Sequence, residues 1–444
     1  MEGNDGPRIA FVGGGSYQWG PKIILDVALN EELRGARLVL HDIDAGALDD
    51  MYAWGEKAVG ASNADLTLEK TQELEEALRD ADFVVLSIST GGLDATALDL
   101  EIPARYGVVQ TVGDTVGPGG HFRGLRNIPV VVGIARAMEK NCPGAVLLNL
   151  TNPLTVLTRA VTKATSIRAV GLCHELFSTL AMLSRMFGVP EEAISVRVAG
   201  INHFIWVTEV SVRGRDVTEE AFRRISDGEA RDIALGDAVG NPDPFVSTWG
   251  FRTELCRVYG SLPAAGDRHL CEFIPGYLGD EEERERLDLR VTTVDVRRER
   301  LAADRERVRR MIEGREEITT ERSREEISDI IAAIWSGEDS VNIVNLPNAG
   351  QIPGLPHGAV VETYGALNGL GASGIASGEL PPAVAALVYP HVFNQEAIVQ
   401  AGLTGDRELA FRAFANDPLV LGQSKATGMF EEMFEAQSMY LPQF

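Results

Sequence analysis

Residues 9–16 leave this chain few folds to choose from. The apolar run Ile9-Ala10-Phe11-Val12 enters three successive glycines, Gly13-Gly14-Gly15, and then Ser16. A short apolar run reads as a buried strand, and glycines directly behind it read as a tight turn into a helix. From Ser16 to about Leu33 the spacing is helical, with Ile23, Ile24, Val27 and Ala28 on one face. Further strands are expected at 38–40, 66–68, 83–88, 146–150 and 169–171, with an acidic helix at 73–80. Strands alternating with helical stretches predict an α/β fold with a doubly wound parallel sheet.

With 444 residues, the chain is too long for one simple core. Two domains are expected, 1–195 and 196–444. After about Val196 the pattern changes to a longer strand at 204–212, closed by Arg213-Gly214-Arg215. Residues 281–328 are dense in Glu and Arg and read as solvated helix laced with i,i+4 pairs. The Gly- and Pro-rich stretch 342–374 reads as irregular loop with short strands, and the region from 381 onward as helices.

Charge narrows the function. There are 65 acidic against 41 basic residues, a net charge of -24. Such a field repels nucleic acid and anionic membranes. It leaves room for an anionic cofactor held locally by backbone N–H groups. No apolar run approaches the ~20 residues needed to cross a bilayer. The start, Met1-Glu2-Gly3-Asn4-Asp5, lacks signal-peptide features, so a cytoplasmic location is expected. Cys142, Cys173, Cys256 and Cys271 have no CxxC spacing, which argues against a disulfide framework or a zinc cluster.

Glycines at a strand-to-helix turn let the backbone approach a pyrophosphate, and the helix N-terminus adds N–H groups and partial positive charge. Gly13, Gly14, Gly15 and Ser16 are therefore cofactor candidates. Gln18 stands where the dinucleotide fingerprint wants a third glycine. Asp42, ending the next strand, can accept from the adenosine ribose hydroxyls. Its carboxylate would repel a 2′-phosphate, which favours NAD over NADP; the alternative is a loop or cap residue. The strands at 83–88 and 146–150 end at Ser89-Thr90-Gly91-Gly92 and at Asn149-Leu150-Thr151-Asn152-Pro153. Strand carboxyl ends are where such a sheet binds ligands, which nominates Thr90 and Asn149. For Asn149 the alternative is an Asx turn that merely closes the loop. Two further strand ends carry Cys173-His174-Glu175 and Gly200-Ile201-Asn202-His203. A cation shared between a cysteine and a histidine there would have an incomplete shell, open to water or substrate oxygens.

With Gly113-Asp114-Thr115-Val116-Gly117-Pro118-Gly119-Gly120 and 345–353, these motifs make up a set. The chain resembles the NAD- and divalent-metal-dependent glycosidases of glycoside hydrolase family 4 over nearly its whole length. His121, Cys271 and the chain after Glu362 depart mildly from the pattern. The resemblance implies a Rossmann-type N-terminal half, like lactate and malate dehydrogenases, and a C-terminal α+β catalytic domain. It implies hydrolysis by oxidation at the sugar C3, loss of the C2 proton, elimination across C1–C2, addition of water and re-reduction. NAD and a divalent metal, typically Mn2+, are the implied cofactors. Cys173 and His203 would ligate the metal, and Asn152 and Asn202 would contact sugar hydroxyls. Asp114 would lie near sugar and metal. Asp267 would be the C2 base, with Tyr259 as alternative, and His174 would support the leaving group or neighbouring hydroxyls.

The histidine after Cys173 favours a non-phosphorylated glycoside. Glu175 looks like the glucoside branch, whereas Gly266-Asp267-Arg268-His269-Leu270-Cys271-Glu272-Phe273 looks like the uronide branch, notably α-galacturonides. Arg268 would pair a C6 carboxylate in bidentate fashion, or form a structural ion pair. A hexuronide is favoured, with α-glucoside and α-galactoside as alternatives. A different class remains open: a plain NAD-dependent hydroxy-acid or sugar dehydrogenase, with His203 as proton acceptor and Arg268 or Arg123 clamping a carboxylate. A silent NAD-binding sensor is a third. The resemblance also implies a homodimer or homotetramer.

Overall fold

The first apolar run divides between two cores. In β1 (Arg8–Val12), Ala10 and Val12 pack on one side and Ile9 and Phe11 on the other. The same split recurs after β2 (Ala36–His41) and β3 (Leu66–Thr71), in β4 (Phe83–Leu86) and β5 (Val146–Asn149). Both faces are covered by helices, which is why these strands read as continuous apolar runs. The computed structural model describes residues 6–238 and 246–444.

The remaining strands are β6 (Arg168–Gly171), β7 (Ile194–Ile201), β8 (Phe204–Val212), β9 (Arg215–Asp216), β10 (Leu262–Pro263), β11 (Ser340–Pro347), β12 (Val360–Asn368) and β13 (Gly371–Gly374). Together they form one sheet, ordered β10-β8-β7-β12-β11-β6-β5-β4-β1-β2-β3, with β13 on β12 and β9 on β8. From β3 to β6 the pairing is parallel, in the order of a dinucleotide-binding domain. The expected division at 195 falls inside β7, and the sheet crosses it unbroken.

Residues 342–374 correct the sequence reading. Two long strands, β11 and β12, take up much of them and enter the sheet between β6 and β7, with the expected loop confined to 348–359. Polar residues had masked the strand pattern there. Asn345 and Glu362 face each other across β11 and β12, and Asn345 Nδ2 donates to Glu362 Oε1 at 3.1 Å. The Glu- and Arg-rich stretch does form helix, Val294–Ile312, but one edge is buried. Met311 packs against the helix Ala45–Ser62, where Trp54 Nε1 donates to its Sδ at 3.2 Å. No helix of the described residues is long and apolar enough to cross a membrane.

Candidate active site

Gly13 leaves β1 with φ +91°, and a Cβ there would lie 1.8 Å from the Ser87 carbonyl oxygen, so only glycine fits. The N–H groups of Gly13 and Gly14 both donate to the His41 carbonyl, at 2.8 and 2.9 Å, tying the turn to the end of β2. The Asp42 carboxylate accepts from the N–H of Gly15 at 3.0 Å and of Asp44 at 3.0 Å. Ser16 Oγ accepts from Trp19 N, and the helix Gly20–Ala28 begins later than its periodicity suggested. Gln18 is exposed. The close helix contact expected of a third glycine falls to Gly20, where a Cβ would lie 2.5 Å from Met51 Sδ.

Thr90 is held from behind. Its N–H and Oγ1 donate to Asn127 Oδ1 at 3.2 and 2.7 Å, and its carbonyl accepts from Arg126 Nε at 2.9 Å. Arg126 is fully buried and pairs bidentately with Asp99 at 2.8 and 2.6 Å. Asn149 takes its loop-closing alternative. Its Oδ1 accepts from Thr151 N at 2.9 Å and its Nδ2 donates to Thr158 Oγ1 at 3.1 Å, so the amide is turned inward rather than toward a cofactor.

Asp114, His203 and His269 bring ligand atoms within 4.8 Å of one another, the one such group of three among the described residues. Asn152 Nδ2 donates to Asp114 Oδ2 at 3.1 Å. His203 Nδ1 lies 2.8 Å from Thr115 Oγ1, which leaves Nε2 as its free ligand atom. Its ring stacks on His269 at 3.8 Å between centroids. Burial, with His269 alongside, lowers the His203 pKa to about 3, so the imidazole is neutral. Burial opposes ionisation of Asp114, yet His269, His203 and Arg123 outweigh it and hold that carboxyl well below the usual range. Because His203 is itself neutral, the guanidinium groups of Arg123 and Arg268 are fixed positive charges acting on Asp114.

Cys173 follows β6 and stands outside the group of three, beside Glu362, Glu175 and Asn202. Burial and then the two carboxyl groups push its thiol well above the ordinary cysteine value. Asn202 is fully buried, and neither of its amide atoms completes a well-formed hydrogen bond. His174 is drawn away to Glu325, its Nδ1 3.1 Å from Oε2, and that contact raises its pKa.

The two groups offered as C2 base are not brought into the cluster. Asp267 is 3% exposed, and its Oδ1 accepts from Arg252 N at 3.0 Å with Arg252 Nε 3.4 Å away. Acting as a base would require release from Arg252. Tyr259 ends the helix Gly250–Tyr259 with its ring edge-on to Trp206, 6.0 Å between centroids. Arg268 Nη2 donates to Thr292 Oγ1 at 2.6 Å.

Several groups escaped the sequence reading. His269 lies within the uronide-like motif without an assigned role; its stacking on His203 and its place in the group of three mark it. Glu175 is ionised: burial resists this, but His269, His203 and His174 bring its pKa down to about 2. Glu362 does the reverse, with burial driving its pKa up to about 8. Glu272 accepts from the N–H groups of Val112 and Gly113 at 2.6 and 2.9 Å and so shapes the loop that carries Asp114. The two departures noted above are packing residues: His121 sits edge-on to Phe122 and Phe414, and Cys271 is fully buried beside Thr111.

A family model described as Family 4 glycosyl hydrolase matches residues 8–189, and its C-terminal domain model matches residues 198–420. The chain belongs to the family 4 glycosyl hydrolases. It is a glycoside hydrolase on the α/β fold expected, and the dehydrogenase and sensor alternatives are not favoured. An α-galacturonidase from Thermoanaerobacterium saccharolyticum is 39% identical over 448 residues, covering 98% of this chain and 96% of that protein. The crystal structure of a candidate glucosidase from Bacillus subtilis is 37% identical, with a TM-score of 0.90 and coverage of 97% and 100%. A 6-phospho-α-glucosidase from gut microorganisms, solved with NAD and Mn2+, shares the fold at 23% identity, with a TM-score of 0.85 and coverage of 99% and 100%.

Proposed function

We propose that this family 4 enzyme hydrolyses α-galacturonides using bound NAD and a divalent cation, preferentially Mn2+. The observation that carries the reading is the grouping of Asp114, His203 and His269, with Cys173 nearby, in a chain whose glycine turn is anchored on Asp42. The donors fit a divalent cation: a carboxylate, a neutral imidazole and a thiol that only a cation would deprotonate here. The buried amide of Asn202, held only by loose contacts to Cys173 and Glu362, suits a sugar hydroxyl. When bound, NAD supplies a hydride acceptor and donor for the sugar C3, and the cation polarises the C2 and C3 oxygens.

This chain's residues do the rest. Gly13–Gly15 admit the pyrophosphate, Asp42 accepts from the ribose hydroxyls, and Thr90 lines the same crevice. Cys173, His203 and Asp114, with His269 beside them, would hold the cation, while Asn152 and Asn202 would orient the sugar. Asp267 takes the C2 proton once its carboxylate leaves Arg252. Glu175, the residue that hinted at glucosides, is accounted for by its bond to the N–H of Gly266. The uronide is supported by the full-length likeness to an α-galacturonidase and by Arg268. Mn2+ is supported by the solved relative that carries it. Four free cysteines suit a cytoplasmic enzyme, and a homodimer or homotetramer is part of the same reading.

The test is nitrophenol release from the α-galacturonide, α-glucuronide, α-glucoside and α-galactoside, each with and without NAD+, Mn2+ and a thiol reductant. The α-galacturonide should be fastest, should need all three additions, and should give no net NADH. NADH accumulating on a free sugar, with no glycoside cleaved, would sink the reading. Asp42→Ala should weaken NAD by about 10–100-fold, the worth of hydrogen bonds to one charged acceptor. NADP should lose far less, because the same change removes the carboxylate that repels a 2′-phosphate. Fluorescence titration with both cofactors decides this, and equal losses would contradict the assignment.

A further inference from the structure

Arginines gather around Asp114 in a chain that is otherwise strongly acidic. Arg268 and Arg297 both hydrogen-bond Thr292: Arg268 Nη2 donates to its hydroxyl at 2.6 Å, and Arg297 Nε donates to its carbonyl at 3.4 Å. Their guanidinium groups are therefore close neighbours. Arg297 Nη2 also donates to the Val112 carbonyl at 2.7 Å, two residues before Asp114. Arg123 approaches from the helix Gly117–Asn141, and its Nε donates to the carbonyl of Asn152, whose amide binds Asp114.

The partners of Arg123 and Arg297 are all neutral oxygens; neither has an ion-pair partner within 4.0 Å among the described residues. Burial disfavours the charged forms of Arg123 and Arg268, and Arg297 adds repulsion to each. Asp114 is the carboxylate they share, and it also belongs to the group of three with the two histidines. Like charges held together in a partly buried pocket are stabilised when an anion arrives between them. Planar guanidinium groups match a carboxylate in geometry as well as charge.

We infer that Arg123 and Arg297 join Arg268 in a carboxylate-recognition pocket beside Asp114, and that this pocket makes the enzyme select a glycoside bearing a C6 carboxylate over its neutral counterpart. The inference rests on the glycosidase reading and names two specificity-determining residues for it.

The experiment compares kcat/KM for nitrophenyl α-galacturonide and α-galactoside in the parent, Arg123→Gln, Arg297→Gln and Arg297→Lys. Calorimetry of D-galacturonate and D-galactose binding to each protein gives a readout independent of turnover. Each Gln variant should lower the uronide-to-galactoside ratio by about 10–100-fold, the loss expected for hydrogen bonds to one charged group. Arg297→Lys, which keeps the charge but loses the fork, should recover part of the ratio. Galacturonate should bind more weakly to the Gln variants, with a much smaller change for galactose. A parent that prefers the uronide, with variants that keep its ratio, would overturn the pocket and leave the function standing. A parent without preference for the uronide would overturn both.

Discussion

Cys173→Ser should lower metal-dependent hydrolysis by about 10³-fold or more while NAD binding survives. A cation acting as Lewis acid stabilises the transition state by several kcal/mol, and about 1.4 kcal/mol is tenfold in rate. Cys173 is half-buried beside Glu362 and Glu175, and its desolvation first, then these carboxyl groups, keep its thiol protonated in the absence of a cation. A cation can displace that proton, because the thiolate is a metal ligand in its own right. A serine hydroxyl in the same place is a far weaker acid and would stay protonated. The glycine turn proposed to bind the dinucleotide is built elsewhere, from Gly13, Gly14 and Asp42 at the ends of β1 and β2, so cofactor affinity should hold. Activity against nitrophenyl α-galacturonide, metal content by atomic emission and NAD titration by fluorescence give three separate readouts. Unchanged activity with full metal content would remove Cys173 from the site.

Asp99→Ala should destabilise the cofactor-binding half by about 3–5 kcal/mol, the usual consequence of stranding a buried charge. At about 2–4 °C per kcal/mol this is a fall of roughly 10 °C in thermal midpoint. The Asp99 and Arg126 side chains are both fully buried, and the pair is bidentate. Gln437 joins from near the C-terminus, accepting from Arg126 Nη1 and donating to Asp99 Oδ1, both at 3.0 Å. Arg126 also holds the Thr90 carbonyl, so NAD affinity should weaken alongside stability. The double variant Asp99→Ala/Arg126→Met should recover much of the midpoint, because it removes the stranded charge as well. A midpoint equal to the parent's in Asp99→Ala would mean that water reaches Arg126 in the folded state.

The N-terminal half was largely legible because its signals are local. The apolar runs at 9–12, 38–40, 83–88, 146–150 and 169–171 lie in β1, β2, β4, β5 and β6, which need only short-range pattern and turn chemistry. The middle of the sheet was not legible. β11 and β12 carry Asn345 and Glu362, which read as loop residues until Asn345 Nδ2 donates to Glu362 Oε1 across the two strands. Gln18 stands where the fingerprint spacing wants a third glycine, but the helix starts later, and Gly20 at its first position makes the close contact with Met51.

The sequence by itself determined the fold class, the dinucleotide turn with Asp42, and the run of motifs that places the chain in its family, because each depends on residues adjacent along the chain. The tertiary structure decided which of those residues meet. It put His269 against His203, set Asp267 on Arg252, and drew His174 to Glu325. It also gathered Arg123, Arg268 and Arg297 from three separate segments beside Asp114. Such contacts span up to about 185 residues of sequence separation, as between Arg297 and Val112. They follow from how strands and loops stack once the cores have formed, and no local spacing encodes them.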